Sequence, residues 1–362
     1  MIRIRLGWLM RKRLFGLLSG HDAFKQTNKQ ILIQVKARVR SWDSLPPAAM
    51  KIAAFNVQKF GKNKVSDPDV LKILVKIVSR YDIIVILEVV DISGESVKVF
   101  METLNKSNRK HHYTLKISSR LGRTRYKEQF MFLYRDDLVD LVGSHQFDDE
   151  GTESGDVFAR DPYILRFRCL NTVLKDLVLI PVHTKPEDSE KELDELYDVF
   201  LHVKKKWRTD NVMILGDFNA DGAYVSQKEM KGIRIRSDPS FHWLIGDEVD
   251  TTASTGNDHT YDRIVVYGDD MLHAVVPDSA KPFNFQTAYR LSDEQTLNVS
   301  DHYPVEVELR AAEQQYDGPA AACEEALLEL KRGNLLLERE KLNLEIQVLR
   351  MKMEKRKRGD DV

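Results

Sequence analysis

Between residues 51 and 310, short apolar runs rich in β-branched and aromatic residues alternate with stretches whose apolar residues recur at helical spacing. Runs this short, bounded by turn-forming residues, are typical of buried strands. The alternation predicts an α/β (α+β) fold in which helical layers cover β-sheets. The predicted strands are Ile83–Leu87, Phe130–Tyr134, Leu177–Val182, Val212–Leu215, Ile264–Tyr267 and Val305–Leu309.

Two segments between these strands have apolar residues along one helical face, Asp69–Arg80 and Glu190–Trp207. The dipeptide Asp67-Pro68 precedes the first of them. An aspartate at a helix start accepts hydrogen bonds from the free N–H groups of the first turn, and a proline in that turn sacrifices no helical hydrogen bond. We therefore predict that a helix begins at this point.

The composition changes at both ends of this α/β region. Residues 1–49 are basic and nearly lack acids, and cations interrupt their apolar stretches, which predicts a disordered or partly helical extension rather than a secretory signal peptide. A basic amphipathic organelle-targeting segment is the alternative. The α/β domain is assigned to 51–310. A linker at 311–323 follows, and 324–358 is predicted to form a long amphipathic helix with a basic end.

The leucines of this C-terminal segment are spaced seven residues apart, at Leu328, Leu335, Leu342 and Leu349. This spacing favours a homodimer or the capture of a partner helix, although the arginines between the leucines weaken a tight coiled-coil seam. The basic end could act as a nuclear-import signal or a phosphate-binding arm. A solitary charged helix without a partner remains the alternative.

The composition also limits the class of protein. The two cysteines, Cys169 and Cys323, cannot build a disulfide framework and indicate reduced thiols. No run of about 18 apolar residues occurs, so no membrane-spanning helix is expected. We expect an intracellular protein of the cytoplasm, the nucleus or both, while secretion stays open.

Apolar strands repeatedly run into acidic, amide or histidine side chains. Polar groups at strand ends can converge on one cleft, and burying several carboxylates together is costly unless a cation or proton compensates their charge. Carboxylate and amide oxygens suit Mg²⁺, Mn²⁺ or Ca²⁺. The residues at these ends are Asn56, Glu88, His183, Asp217, Asn219, Asp221, Asp262, Asp301 and His302.

The two histidines complete this inventory, because an imidazole titrates near neutral pH and can transfer protons. The group types favour metal-assisted hydrolysis of a phosphoester. The sequence has no GxSxG motif for a serine nucleophile, no P-loop and no HExxH zinc motif.

Several sequence blocks resemble, in order, the signature motifs of the deoxyribonuclease I family within the endonuclease/exonuclease/phosphatase superfamily. The blocks are KIAAFNVQKFG, YDIIVILEV, GRTRYKEQF, VFARDP, PVHTKP, LGDFNAD, YDRIVV and SDHYPVEV, which together span 51–310. The resemblance implies a four-layer α/β/β/α sandwich of two packed mixed sheets with a cleft along one edge. It also implies endonucleolytic hydrolysis of DNA to 5′-phosphorylated products with little base specificity.

The resemblance assigns roles to residues that match these motifs. His183 and His302 would form the general acid/base pair, oriented by Glu128 and Asp262 respectively. Mg²⁺ or Mn²⁺ would be bound by or near Glu88, Asn56, Asp217, Asn219 and Asp301. Contacts to DNA would come from Arg160 on phosphate, Tyr126 against the minor groove and Asn219 on the scissile phosphate.

Two loops would serve structural Ca²⁺, with candidate residues Asp148, Asp156, Asp161, Asp250 and Thr252. These calcium loops are only partly kept, so a need for Ca²⁺ is doubtful. Actin binding cannot be inferred, because residues 114–119 carry no clear match to the family member that binds it.

The sequence departs from the family at two positions that often carry DNA-contacting arginines, Gln58 and Val90. Fewer cationic contacts should weaken DNA binding and flatten its salt dependence. Two alternatives remain: another phosphoesterase of the superfamily (an abasic-site nuclease, a sphingomyelinase or an inositol-phosphate phosphatase), and a catalytically inactive DNA-binding scaffold. The YKE and FARDP blocks argue against the first, and the complete set of histidines and their carboxylates argues against the second.

Overall fold

A computed structural model describes residues 48–148, 155–254, 256 and 258–312. The predicted N-terminal extension, nearly all of the linker and the predicted C-terminal helix lie outside these residues. The strands in the described part, in chain order, are β1 (Ala48–Phe60), β2 (Ile83–Val89), β3 (Tyr113–Ile117), β4 (Gln129–Arg135), β5 (Val139–Gln146), β6 (Tyr163–Cys169), β7 (Asp176–His183), β8 (Val212–Asp217), β9 (Phe241–Trp243), β10 (Asp262–Tyr267), β11 (Lys281–Pro282) and β12 (Val305–Arg310).

The α-helices of the described part include three long ones and several of one or two turns. In chain order they are α1 (Lys62–Ser66), α2 (Pro68–Val78), α3 (Glu95–Ser107), α4 (Ser189–Trp207), α5 (Gln227–Met230), α6 (Arg234–Ser237), α7 (Gly268–Ala274), α8 (Phe285–Tyr289) and α9 (Asp293–Val299). Among these residues, no helix is long and apolar enough to cross a membrane.

The strands form two six-stranded mixed sheets. The first has the order β11-β12-β1-β2-β4-β3, and the second has the order β5-β6-β7-β8-β10-β9. Each sheet contains one parallel pair near its centre, β1 with β2 and β7 with β8, and its other pairs are antiparallel. Parallel neighbours end at the same sheet edge, which brings together the residues that follow them.

Three apolar layers hold the sheets and helices together. Strand β2 shows why: Ile83, Val85 and Leu87 face the second sheet, whereas Ile84 and Ile86 face the helices that cover the first sheet. Successive strand residues point to opposite faces, so a strand buried on both faces is apolar throughout. A third cluster packs α4 against the outer face of the second sheet. The predicted four-layer α/β/β/α sandwich is confirmed.

All six predicted strands and both predicted helices are present, with small changes at their ends. The Asp67 carboxylate caps α2 by accepting hydrogen bonds from the N–H groups of Asp69 and Val70, and Pro68 opens the helix. Several strands were not predicted. The edge strand β5 was missed because its residues are only partly buried and include Gly143, which weakens the apolar pattern.

Candidate active site

Strand register places three of the predicted site residues in one row. In the second sheet, Asp217 pairs with His183 on its parallel neighbour and with Asp262 on its antiparallel neighbour. Residues level with one another on adjacent strands project from the same face of a sheet. The row therefore gathers a histidine and two carboxylates from distant parts of the chain.

The buried His183 imidazole is paired with Glu128, whose Oε1 lies 2.7 Å from His183 Nδ1. Arg160 adds a cation, since its Nε contacts the same Glu128 oxygen and its Nη1 donates to the His183 carbonyl at 3.1 Å. Burial raises the pKa of Glu128, but the charge of His183, its hydrogen bond and the charge of Arg160 outweigh burial and hold it below its usual value. The Glu128 carboxylate therefore stays ionised.

The His302 imidazole is paired in the same way with Asp262, at 2.7 Å from Nδ1 to Oδ2. Asp262 is fully buried and its backbone N–H donates to the Thr251 hydroxyl at 3.1 Å. Burial lowers the pKa of His302, but the charges of Asp262 and Asp217 outweigh burial and raise it to about 10. His302 is thus protonated near neutral pH.

Both imidazoles turn their second nitrogen toward one carboxylate oxygen. The Nε2 atoms of His183 and His302 each lie 3.7 Å from Asp217 Oδ2. The two Nε2 atoms therefore lie no more than twice that distance apart, which is close enough for them to contact opposite sides of one phosphate. Burial raises the pKa of Asp217, but the charges of both histidines outweigh burial and lower it.

Glu88 and Asp217 converge on the amide of Asn56, which donates from Nδ2 to Glu88 Oε1 at 3.0 Å and to Asp217 Oδ2 at 3.1 Å. The amide oxygen instead accepts the backbone N–H of Gln58 at 2.9 Å. Asn56 thus presents its amide nitrogen to the two carboxylates. The sequence motif predicted Asn56 in or near the shell of the cation, and the side chain lies between two of the other predicted ligands.

The backbone around these acids is unusual. Seven non-glycine residues in the described part of the chain have positive φ, and four of them lie in the site: Gln58, Lys59, Glu88 and Asn219. Such conformations cost about 1 kcal/mol or more and cluster at functional sites. The register of β1 against β2 shifts between Asn56 and Phe60, and in this irregular segment the Lys59 N–H donates to Glu88 Oε2 at 3.0 Å. This hydrogen bond holds the Glu88 carboxylate in its direction.

Gly216 precedes Asp217 with a φ of +141°, and a Cβ at this position would overlap the carbonyl oxygen of Val182. Only glycine permits this approach of β7 and β8. The glycine of the GDFNAD block is therefore required for the row that contains His183 and Asp217.

The carboxylates near Asn56 are of the chemical type that binds a hard divalent cation. Glu88 and Asp217 offer carboxylate oxygens on either side of one amide nitrogen, and Asp301 Oδ1 is buried, accepts no hydrogen bond and lies 3.9 Å from His302 Nε2. Carboxylate oxygens without thiolates are the ligands that Mg²⁺ and Mn²⁺ prefer.

A second group of possible ligands, Asp217, Asp262 and His302, has atoms within 4.8 Å of one another. Asp262 faces Nδ1 of the ring and Asp217 faces Nε2, so the imidazole stands between the two acids. A metal ion binds one ring nitrogen, and Nδ1 is already hydrogen-bonded to Asp262 Oδ2 at 2.7 Å. We interpret this group as an imidazole held between two carboxylates rather than a metal centre.

The predicted DNA-contacting residues lie around these groups. Tyr126 is 44% exposed, and burial together with the charges of Glu88 and Glu128 raises its pKa well above its usual value. Asn219 is buried and donates from Nδ2 to the carbonyl of Thr184 at 3.2 Å. Arg160 is mostly buried beside Glu128.

The residues predicted to serve calcium lie in two loops, the second of which adjoins the site because Thr252 pairs with His302. In the first loop, Asp156 Oδ2 lies 3.4 Å from Arg123 Nε. In the second, Asp250 Oδ1 accepts from both the N–H and the hydroxyl of Thr252, at 2.9 and 2.7 Å. In the described parts of these loops, no three acidic or imidazole ligand atoms come within 4.8 Å of one another. The five residues predicted to serve calcium are Asp148, Asp156, Asp161, Asp250 and Thr252.

Sequence reasoning missed three polar residues that hold the site together. Thr184 donates to the carbonyl of Phe218 at 2.8 Å, and Thr251 accepts the N–H of Asp262. Glu192 is buried on the apolar face of α4. An acid within an apolar helical stripe is a detectable signal, whereas nothing in the pattern distinguishes these threonines from surface ones.

Several known proteins are similar to this chain in sequence. A model of the Endonuclease/Exonuclease/phosphatase family matches residues 53–302. The chain is 44% identical over 265 residues to deoxyribonuclease gamma of Homo sapiens, covering 73% of this chain and 87% of that protein. It is 45% identical over 266 residues to deoxyribonuclease-1 of Canis lupus familiaris, covering 73% and 93%. With deoxyribonuclease-1-like 1 of Cricetulus griseus it shares 42% identity over 267 residues, covering 73% and 85%.

The chain belongs to the endonuclease/exonuclease/phosphatase family. Within that family it is one of the deoxyribonuclease I-like proteins, as its sequence motifs predict.

Proposed function

We propose that this protein is a divalent-metal-dependent endonuclease that hydrolyses DNA phosphodiester bonds and leaves 5′-phosphorylated fragments. The relatives named above are deoxyribonucleases and share more than two fifths of their aligned residues with this chain. The observation that carries the proposal is the approach of two imidazoles to one Asp217 oxygen, each at 3.7 Å. Such a pair can remove a proton on one side of a phosphate and supply one on the other.

In the proposed reaction, a water oxygen attacks phosphorus in line with the 3′ oxygen. One imidazole takes the proton of the water, the P–O3′ bond breaks, and the other imidazole protonates the leaving oxygen. Glu128 and Asp262 hold the Nδ1 sides of His183 and His302, which leaves both Nε2 atoms directed at the phosphate. The products carry a 5′-phosphate and a 3′-hydroxyl.

Glu88 and Asp217, with Asp301 beside them, would hold Mg²⁺ or Mn²⁺, and Asn56 would keep the first two carboxylates in place. The bound cation neutralises the charge that develops on the phosphate. Asn219 and Arg160 would contact the scissile and neighbouring phosphates. Tyr126 would lie in the minor groove, so that groove width and deformability rather than base edges set the preference.

A plasmid-nicking assay tests this proposal. Supercoiled DNA should be nicked in Mg²⁺ or Mn²⁺, nicking should stop in EDTA, and His183→Ala should be inactive. DNA ligase should reseal the nicks, because a 5′-phosphate faces a 3′-hydroxyl. An intact protein that fails to nick in either metal would favour the scaffold alternative. Faster hydrolysis of abasic DNA, sphingomyelin or inositol phosphates would favour the other phosphoesterases.

For the C-terminal segment we propose self-association through the leucines spaced seven apart, with access to the nucleus through the basic end. Light scattering should give a larger mass per particle for the full chain than for a chain truncated after residue 311, beyond the mass of the deleted residues. Monomeric masses for both would contradict self-association. Fluorescence microscopy of the same two chains tests nuclear access.

A further inference from the structure

Glu192 lies in the first turn of α4, on the face of the helix that packs against the second sheet. Its neighbours on that face, Leu193 and Leu196, are fully buried, and Glu192 itself is 1% exposed. Burial raises the pKa of Glu192 to about 7, even though backbone N–H groups and the charge of Arg160 oppose the rise. A leucine would be a far less costly side chain at this position.

The buried carboxylate is the acceptor for two loops at once. Its Oε1 accepts the backbone N–H of Ala159 at 3.2 Å and that of Lys185 at 3.2 Å. Ala159 immediately precedes Arg160, and Lys185 lies two residues after His183. One oxygen therefore ties the loop that carries the arginine to the chain that leaves the histidine strand.

The two tied segments also meet at the site. Arg160 donates from Nη1 to the carbonyl of His183 at 3.1 Å and contacts Glu128, the carboxylate that orients the same histidine. Between His183 and Lys185, the Thr184 carbonyl accepts Asn219 Nδ2 at 3.2 Å. Movement of either loop would thus shift a proton-transfer group or a phosphate-binding group.

We propose that Glu192 is a positioning residue for the reaction, whose oxygen fixes the Arg160 loop against the backbone that follows His183. This inference rests on the proposed phosphodiester hydrolysis. Glu192 touches neither substrate nor the reacting atoms and acts through Ala159 and Lys185. Its role depends on an acceptor oxygen at the end of a side chain of this length, and not on negative charge.

Three variants separate these features: Glu192→Ala removes the acceptor, Glu192→Gln keeps an acceptor oxygen without the charge, and Glu190→Ala removes an exposed acid from the same helical turn. In steady-state DNA hydrolysis, Glu192→Ala should lower kcat on the order of 10- to 100-fold, as expected when supporting hydrogen bonds around catalytic groups are lost. The KM should change by less than about threefold, because DNA binding is spread over many phosphate contacts. Glu192→Gln should restore most of kcat, and Glu190→Ala should resemble the native protein.

Hydrogen exchange measured by mass spectrometry gives a readout that does not require activity. In Glu192→Ala, exchange should accelerate in the peptides covering 157–161 and 183–185 and stay unchanged elsewhere in the domain, while Glu192→Gln should protect both. Should the native protein fail to cleave DNA, the proposed function falls while this exchange pattern still decides whether Glu192 joins the loops.

Three results would overturn the inference. The first is equal loss of kcat in Glu192→Gln and Glu192→Ala, which would assign the effect to charge. The second is native kcat in Glu192→Ala. The third is faster exchange throughout the domain together with a lower Tm, which would make Glu192 a general stability residue.

Discussion

The site contains two histidine–carboxylate pairs, His183 with Glu128 and His302 with Asp262, in different electrostatic surroundings. In each, a carboxylate oxygen lies 2.7 Å from a histidine Nδ1. Glu128 is also bound by Arg160, and its pKa is held below the usual value. Among the described residues no arginine or lysine pairs with Asp262, and burial, assisted by the charge of Asp217, raises its pKa to about 6 even though His302 opposes the rise.

The difference shows that a third charged group changes the surroundings of a buried histidine–carboxylate pair. Both histidines have a raised pKa, and Asp217 contributes to the rise in each. Arg160 opposes the rise only at His183, so the two pairs differ by one cation, a kind of asymmetry that an acid/base pair can use.

The largest expected effects come from removing either imidazole. His183→Ala and His302→Ala should each reduce kcat by about 10²- to 10⁴-fold, because general acid and general base catalysis each contribute on this scale. Single-turnover nicking assays measure the loss, and unchanged DNA binding in EDTA serves as the control. If one variant kept native kcat, the two histidines would not share the proton transfers.

Replacing each carboxylate by its amide tests the difference between the two histidine–carboxylate pairs. Glu128→Gln and Asp262→Asn should each lower kcat about 10- to 100-fold, since both orient an imidazole. In metal-free protein, the pKa of His183 should fall further in Glu128→Gln than the pKa of His302 falls in Asp262→Asn. Asp217 remains near both imidazoles in these variants, but the Arg160 cation remains only beside His183. NMR titration of the two imidazoles measures both pKa values, and equal decreases would refute the role given to Arg160.

Cations added at Val90, two residues after Glu88, or at Gln58, beside Asp301, should strengthen the attraction of the site for DNA phosphates. Val90→Arg should tighten DNA binding. The plot of the logarithm of the binding constant against the logarithm of the salt concentration should become steeper by about 0.9, the change expected for one added phosphate contact. Gln58→Arg should do less, because Gln58 Nε2 already lies 2.9 Å from Asp301 Oδ2 and a guanidinium there would pair partly with that carboxylate. Fluorescence anisotropy in EDTA across salt concentrations measures the slopes, with Val90→Gln as an uncharged control. Unchanged slopes would place these positions outside the DNA-binding surface.

The smallest effect concerns stability on the His183 side. An unfolded glutamate loses its proton near 4.5, but folded Glu192 keeps it until about pH 7, so ionisation opposes folding and its contribution to stability falls as pH rises through this window. Relative to native protein, Glu192→Gln should gain on the order of 1–3 kcal/mol of unfolding free energy between about pH 5 and pH 8. Urea unfolding of both proteins at the two pH values measures the change. If the unfolding free energy of Glu192→Gln exceeded that of native protein only at low pH, the predicted direction of the pH dependence would be wrong.

Much of the fold follows from local pattern. The apolar runs predicted six of the eight interior strands of the two sheets because strands buried on both faces are largely apolar, and Asp67-Pro68 predicted the start of α2 because helix caps are local. The edge strands β3 and β5 were not predicted, since partly buried residues blur the pattern. The left-handed bulge at Gln58 and Lys59 was not predicted either, because neither residue type signals a positive φ.

The sequence by itself determined which polar groups follow the buried strands, and its motifs indicated the family to which they belong. Only the tertiary structure decided that Arg160 binds Glu128, that Asn56 turns its nitrogen to two acids and that Glu192 joins two loops. Strand propensity acts over a few neighbouring residues. Hydrogen bonds and proton affinities depend instead on distances between groups far apart in the chain, and folding alone fixes those distances.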